Sequence, residues 1–203
     1  MNRIIFAIIT ILGLLNPQIV FSQQEIYDEC QDLLLQGKIE ESMDKARSMY
    51  HPEASVEDNR WYYLHMGTYY MLISDLSKSE EILELMRPCV EESNKVERNF
   101  KIYFYFSSIS FYSTYKTQRD TSSAYRIIED CTRIEELLKD EIDDLTLSML
   151  LTYKGQGYYQ LQNYKEAKPI LHKAIETISS SPQFQDYLFV HFPHNCRYSP
   201  GRL

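Results

Sequence analysis

Two apolar stripes of helical period, separated by a short polar break, dominate residues 147–178. Leu147, Leu151, Gly155 and Tyr158 recur at three- and four-residue steps. After Leu161-Gln162-Asn163 the pattern resumes at Tyr164, Ala167, Leu171, Ala174, Ile175 and Ile178. Residues so spaced share one side of an α-helix. The spacing predicts a helical hairpin, with small side chains at Gly155, Ala167 and Ala174 where two helix backbones must approach closely.

The same phase recurs upstream. Around Gly67, Tyr63 and Tyr70 take the places of Leu151 and Tyr158, and Leu76, Ser79, Leu83 and Met86 follow where Tyr164, Ala167, Leu171 and Ala174 stand. Around Cys30 the set is Ile26, Leu33, Ile39, Ser42, Ala46 and Met49. Around Ser108 the match is looser: Phe104 and Phe111 fit, and Ala124, Ile128 and Cys131 follow a longer connection. Four hairpins at steps of 37 to 47 residues predict a stack of repeated units rather than a single central core.

These residues resemble the tetratricopeptide repeat, most plainly over 151–178 and 63–86, more loosely over 26–49 and 108–131. In that family the small positions are Gly or Ala, and a Tyr or Phe closes the first helix. Here Gly155, Ala167 and Ala174 follow the pattern, whereas Cys30, Ser42, Ser79 and Cys131 substitute in the other units. The family's repeat is about 34 residues long, so helices or loops are extended in this chain. The resemblance implies an all-α fold, a right-handed α-solenoid of about four antiparallel helix hairpins over residues 23–181. Pro169 is expected near the first turn of its helix, where a missing N–H leaves no bond unmade. Residues 101–111 are rich in β-formers, but their length and neighbours predict a helix.

Ahead of the repeats, Arg3 is the only charge before Glu25, and an uncharged apolar run over 4–15 ends at Asn16-Pro17. A basic start, a short apolar run and then Val20-Phe21-Ser22 fit a secretory signal peptide over 1–22, cut after Ser22. An uncleaved signal anchor is the alternative if the apolar run continues through Val20 and Phe21. Either way the chain is expected to be exported, to a periplasm or to the outside. No later run approaches the length a membrane span needs. At the other end, 182–203 is expected to be an irregular tail. Within it, 183–190 reads as the opening of a further helix that stops at His191-Phe192-Pro193.

Composition narrows the function classes. A hydrophobic fraction of 44% with 25% charged residues belongs to a folded chain, and only 6 Gly and 7 Pro argue against turn-rich β-sandwiches and low-complexity linkers. The net charge of −8 argues against binding to nucleic acid through its phosphates. The pairs Ser42/Lys45 and Ser113/Lys116 have the spacing of some acyl-serine enzymes, but the companion motifs are absent and Ser42 fits a helix-packing position. His191, His194 and Cys196 lack a fourth zinc ligand. The acidic run Asp140-Glu141-Ile142-Asp143-Asp144 lacks the glycine of a calcium loop and reads as a connector that caps the next helix. No catalytic constellation, metal site or cofactor is expected. Cys30 and Cys131 are expected as buried small hydrophobes, Cys89 in a connector and Cys196 in the tail, with no structural disulfide and Cys89–Cys196 as the only contender for oxidation.

The reading is therefore a non-enzymatic scaffold that binds a peptide or protein partner. Counting family positions along the first helix of each hairpin places Trp61, Leu64, His65 and Thr68 outward in the second, and Met149, Thr152, Tyr153 and Gln156 in the fourth, with Tyr159 one turn on. The third adds Tyr105 and Phe106, with Tyr112 one turn on. An aromatic groove of this kind offers large contact area at low side-chain entropy cost. The basic and Asn-rich clamp of some family members, which grips a C-terminal carboxylate, has no counterpart at His65, Thr68, Tyr153 and Gln156. The alternative function is the extracytoplasmic sensor portion of a longer membrane-bound regulator. Oligomeric state is not legible.

Overall fold

The structure is a computed structural model and describes residues 23–115 and 121–181. Among these the chain is all-helical, with no strand. Helix α1 covers 23–35. It is followed by α2 (Ile39–Ala46, extended by a 3-10 turn over Arg47–Met49), α3 (Arg60–Leu72) and α4 (Leu76–Glu92). Then come α5 (Arg98–Tyr115), α6 (Thr121–Leu138, ending in a 3-10 turn over Lys139–Glu141), α7 (Asp144–Gln160) and α8 (Tyr164–Ser180). Residues 101–111 are helical within α5, as their length predicts. The expected leader at 1–22 and the expected tail at 182–203 lie outside the described residues.

Three hairpin turns share one backbone geometry. The Gly37 N–H donates to the Leu34 carbonyl and the Lys38 N–H to that of Leu33, both at 2.9 Å. Ser74 and Asp75 make the same pair to Met71 and Tyr70, and Gln162 and Asn163 make it to Tyr159 and Tyr158. This is the Schellman termination, which requires a left-handed residue just past the helix. Gly37, Ser74 and Gln162 supply it, with φ of 75°, 62° and 58°. The next residues, Lys38, Asp75 and Asn163, hold nearly identical φ/ψ of −86°/62°, −86°/72° and −85°/67° before the second helix starts. The turns sit seven residues after Cys30, Gly67 and Gly155 in turn.

Helix pairing follows the predicted phase. Helix α3 packs on α4, α6 on α7, and α7 on α8. Ser42 in α2 donates its hydroxyl proton to the Cys30 carbonyl in α1 at 2.8 Å, and Ser79 in α4 does the same to Gly67 in α3 at 3.0 Å. In the last hairpin a bond runs the other way, from Ser148 in α7 to the Ala174 carbonyl at 2.9 Å. Ala167 and Ala174 are buried. A methyl group at Gly155 would lie 2.6 Å from Leu171, and one at Gly157 would lie 2.8 Å from Ile128 and 3.1 Å from the Ala124 carbonyl. At Gly67 the same methyl would meet only Ile82 at 3.6 Å, an ordinary contact, so Gly67 does not mark a closed approach.

Contacts cluster into two compact units, divided within α5 between Ser107 and Ser108. The first has a core of Met49, Trp61, Leu64, Leu83, Met86, Phe100 and Phe104. Arg60, buried, makes a bidentate pair with Glu97, and its guanidinium stacks over Phe100. The second is built on Ile109, Phe111, Ile127, Ile134 and Leu150. There the buried Ser108 hydroxyl donates to Asp130 at 2.5 Å.

Two local expectations are modified, and the cap expected at the acidic run is present. Cys89 lies inside α4 after Pro88, not in a connector. Pro169 falls beyond the first turn of α8, so the Lys165 carbonyl loses its helical donor; both residues are exposed, which leaves that carbonyl open to solvent. Asp143, within the acidic run, caps α7: its carboxylate accepts from the Thr146 N–H at 2.8 Å, which holds its carboxyl below the usual range.

Candidate functional site

The residues expected to line one aromatic groove divide between core and surface. Trp61 is 1% exposed. It is packed at ring-centroid distances of 5.0 Å from Tyr27 in α1 and 4.8 Å and 5.8 Å from Phe100 and Tyr103 in α5. Leu64, His65, Tyr105 and Tyr112 are also buried, and Thr68 is half-buried. The outward placement expected of these residues is corrected for a physical reason. Helix α3 is apolar and aromatic around most of its circumference, and a helix of that kind is covered on more than one side. The neighbouring helices cover it with rings from both α1 and α5. In α5, Phe106 is half-buried.

His65 has a defined structural task. Ser42 commits its single proton to the Cys30 carbonyl, so the 3.2 Å contact from Ser42 to His65 Nε2 has the imidazole donating. Nδ1 then accepts from the Gln31 amide at 3.3 Å. One neutral ring thus ties α1, α2 and α3 together, and burial lowers its pKa to about 4. A serine beside a histidine suggests a nucleophile and its base. Ser42 is fully buried with its proton directed at a carbonyl, and Lys45 pairs with Glu29 instead of reaching it. The sequence pattern marked Ser42 as a packing residue. It carried no signal for the imidazole contact, which joins residues of two different hairpins.

The residues expected on α7 are less covered than those of α3. Met149, Gln156 and Tyr159 are exposed, and Tyr153 and Thr152 are half-buried. Met149, Tyr153 and Gln156 follow at four- and three-residue steps, so they form one strip along the helix. At its end the Tyr159 ring stands 5.2 Å from that of Tyr164, both more than half exposed. The strip carries no formal charge. It offers apolar area, a phenol hydroxyl and an amide, which suits contact with another polypeptide.

The thiols follow their burial. Cys30, Cys89 and Cys131 are free, and burial raises the pKa of Cys30 to about 11 and pushes Cys131 up further. Thiols so held are protonated and unreactive at neutral pH. Cys196, with His191 and His194, lies outside the described residues. Among the described residues no three His, Cys, Asp or Glu side chains converge on a point where they could hold a metal ion. No described helix is long and apolar enough to cross a membrane.

A scan against protein-family models finds no match for this chain, and a search of curated proteins finds no relative.

Proposed function

We propose that this chain is an exported helical-repeat protein of the tetratricopeptide type, which recruits a protein or peptide partner and performs no chemistry of its own. The observation that carries the reading is the recurrence of one turn at Gly37, Ser74 and Gln162, each seven residues after the residue at which the paired helices are aligned. Repeated hairpins of this sort stack through their neighbours and present extended faces for binding, in the family through a right-handed solenoid. The partner-binding face is assigned to the α7 strip of Tyr153, Gln156 and Tyr159, supported by the exposure of Gln156 and Tyr159, with Tyr153 half-buried beside them. Trp61, Leu64, His65, Tyr105 and Tyr112 are left to the core.

The test is affinity capture from the native envelope fraction, using the protein and its Tyr153→Ser/Tyr159→Ser variant as parallel baits. A partner retained by the first and lost from the second supports the reading. Equal capture by both baits contradicts the assignment of the face.

A further inference from the structure

Helix α7 carries a second strip, made by Leu147, Leu151 and Lys154, on the side opposite the tyrosines. The two sets are offset by two residues, about 200° around a helix of 3.6 residues per turn. This second strip forms the floor of an open cleft of about 410 Å³, walled by the end of α6, the 3-10 turn and Ile142 on one side and by α8 on the other. Ile170 completes an apolar floor with Leu147 and Leu151. Three ammonium groups border it, from Lys139, Lys154 and Lys173.

The charges are unequal in their commitments. Lys154 is held by Glu135 at 2.7 Å. Lys139 and Lys173 meet no carboxylate among the described residues, although the whole chain has 29 acidic residues against 21 basic ones. Two cations with no carboxylate partner among the described residues, set over an aliphatic floor, are complementary to a ligand that presents carboxylates beside aliphatic side chains. An acyl chain would be better served by an enclosed apolar tunnel. An open cleft rimmed by ammonium groups and the Glu135 carboxylate also provides for the polar backbone of a peptide.

We propose that this cleft is a docking site for an acidic peptide segment, with an aliphatic side chain seated on Leu147, Leu151 and Ile170 and carboxylates on Lys139 and Lys173. The proposal rests on the reading of the protein as a partner-binding repeat and adds a second face to it, with a stated chemistry.

The experiment is a fluorescence-polarisation titration of the purified protein. The probes are a labelled peptide of alternating glutamate and leucine, its glutamine–leucine analogue, and laurate as competitor. The acidic peptide is expected to bind, and to bind about tenfold more weakly as salt rises or when glutamine replaces glutamate. Lys139→Glu/Lys173→Glu is expected to lose at least about tenfold in affinity. Both lysines are exposed, so the fold survives; circular dichroism confirms this, and Lys139→Gln/Lys173→Gln serves as the milder variant. Methyl resonances of Leu147, Leu151 and Ile170 are expected to shift on binding. Equal binding by the charge-reversed variant, no binding of the acidic peptide, or displacement of methyl resonances by laurate alone overturns the proposal. The charge-reversed variant used as a bait separates the two readings. If it still captures a partner that Tyr153→Ser/Tyr159→Ser loses, the cleft proposal fails and the α7 strip stands.

Discussion

Ser79 donates its hydroxyl proton to the carbonyl of Gly67 across 3.0 Å, twelve residues back and on the partner helix. Ser42 makes the equivalent bond to Cys30 at 2.8 Å. Gly155 and Ala167 occupy the same two places in the last hairpin, where no hydroxyl is available. Serine therefore performs two tasks at this position: it is small enough for the crossing, and it fastens the crossing with a hydrogen bond.

Replacing either serine by alanine keeps the crossing and removes the bond. Ser42→Ala and Ser79→Ala are each expected to lower stability by about 1 kcal/mol, read from urea denaturation midpoints. Ser42→Ala should be the more harmful, because it also strands the His65 N–H that Ser42 accepts. The reverse order would show that the imidazole finds another partner.

The turns give a gain rather than a loss. Ser74 and Gln162 hold left-handed backbone that glycine adopts without strain. Ser74→Gly and Gln162→Gly are each expected to raise stability by about 0.5–1 kcal/mol, whereas Gly37→Ala should lower it by a similar amount. Thermal midpoints of the three variants measure this directly.

Much of the hairpin pattern was legible in the sequence because small residues and apolar steps are what the crossing needs. Leu161-Gln162-Asn163 marked a turn, and Leu76, Ser79 and Leu83 marked the helix after one. The bonds made by Ser42 and Ser79 were not legible, since a serine at a small position looks the same whether or not its hydroxyl is used. Trp61 and His65 were misplaced because family positions identify an outward face only when that face is uncovered. Here Tyr27 and Tyr103, from helices before and after α3, cover it. The cleft of α6, α7 and α8 left no local signal, because Lys139, Lys154 and Lys173 come from three separate elements.

Acid sensitivity should trace to His65. Its pKa is lowered to about 4 in the folded chain, from an ordinary value near 6.5. Between those values the unfolded chain binds the extra proton, so stability falls as pH drops from 6.5 toward 4 and levels off below. The slope is about 1.4 kcal/mol per pH unit from this group. His65→Asn should remove that slope while leaving the contribution of the carboxylates. Parallel slopes for the two proteins would place the imidazole in water.

The glycines separate by what surrounds them. Gly67→Ala meets only Ile82 and improves helix propensity, so stability is expected to hold or rise by up to about 1 kcal/mol. Gly157→Ala drives a methyl toward Ile128 and the Ala124 carbonyl, with an expected loss of about 1–3 kcal/mol. Urea denaturation of the two variants side by side checks the ranking.

The most direct test of the repeat itself is urea denaturation of Gly155→Leu and Ala174→Leu beside Gln156→Leu. The first two replacements fall in the crossing of α7 and α8, and the third lies on the exposed strip. Closely paired helices predict a loss of more than about 2 kcal/mol, or failure to fold, for each of the first two, and a change within about 0.5 kcal/mol for the third. Equal midpoints for all three variants and the parent protein would contradict the account.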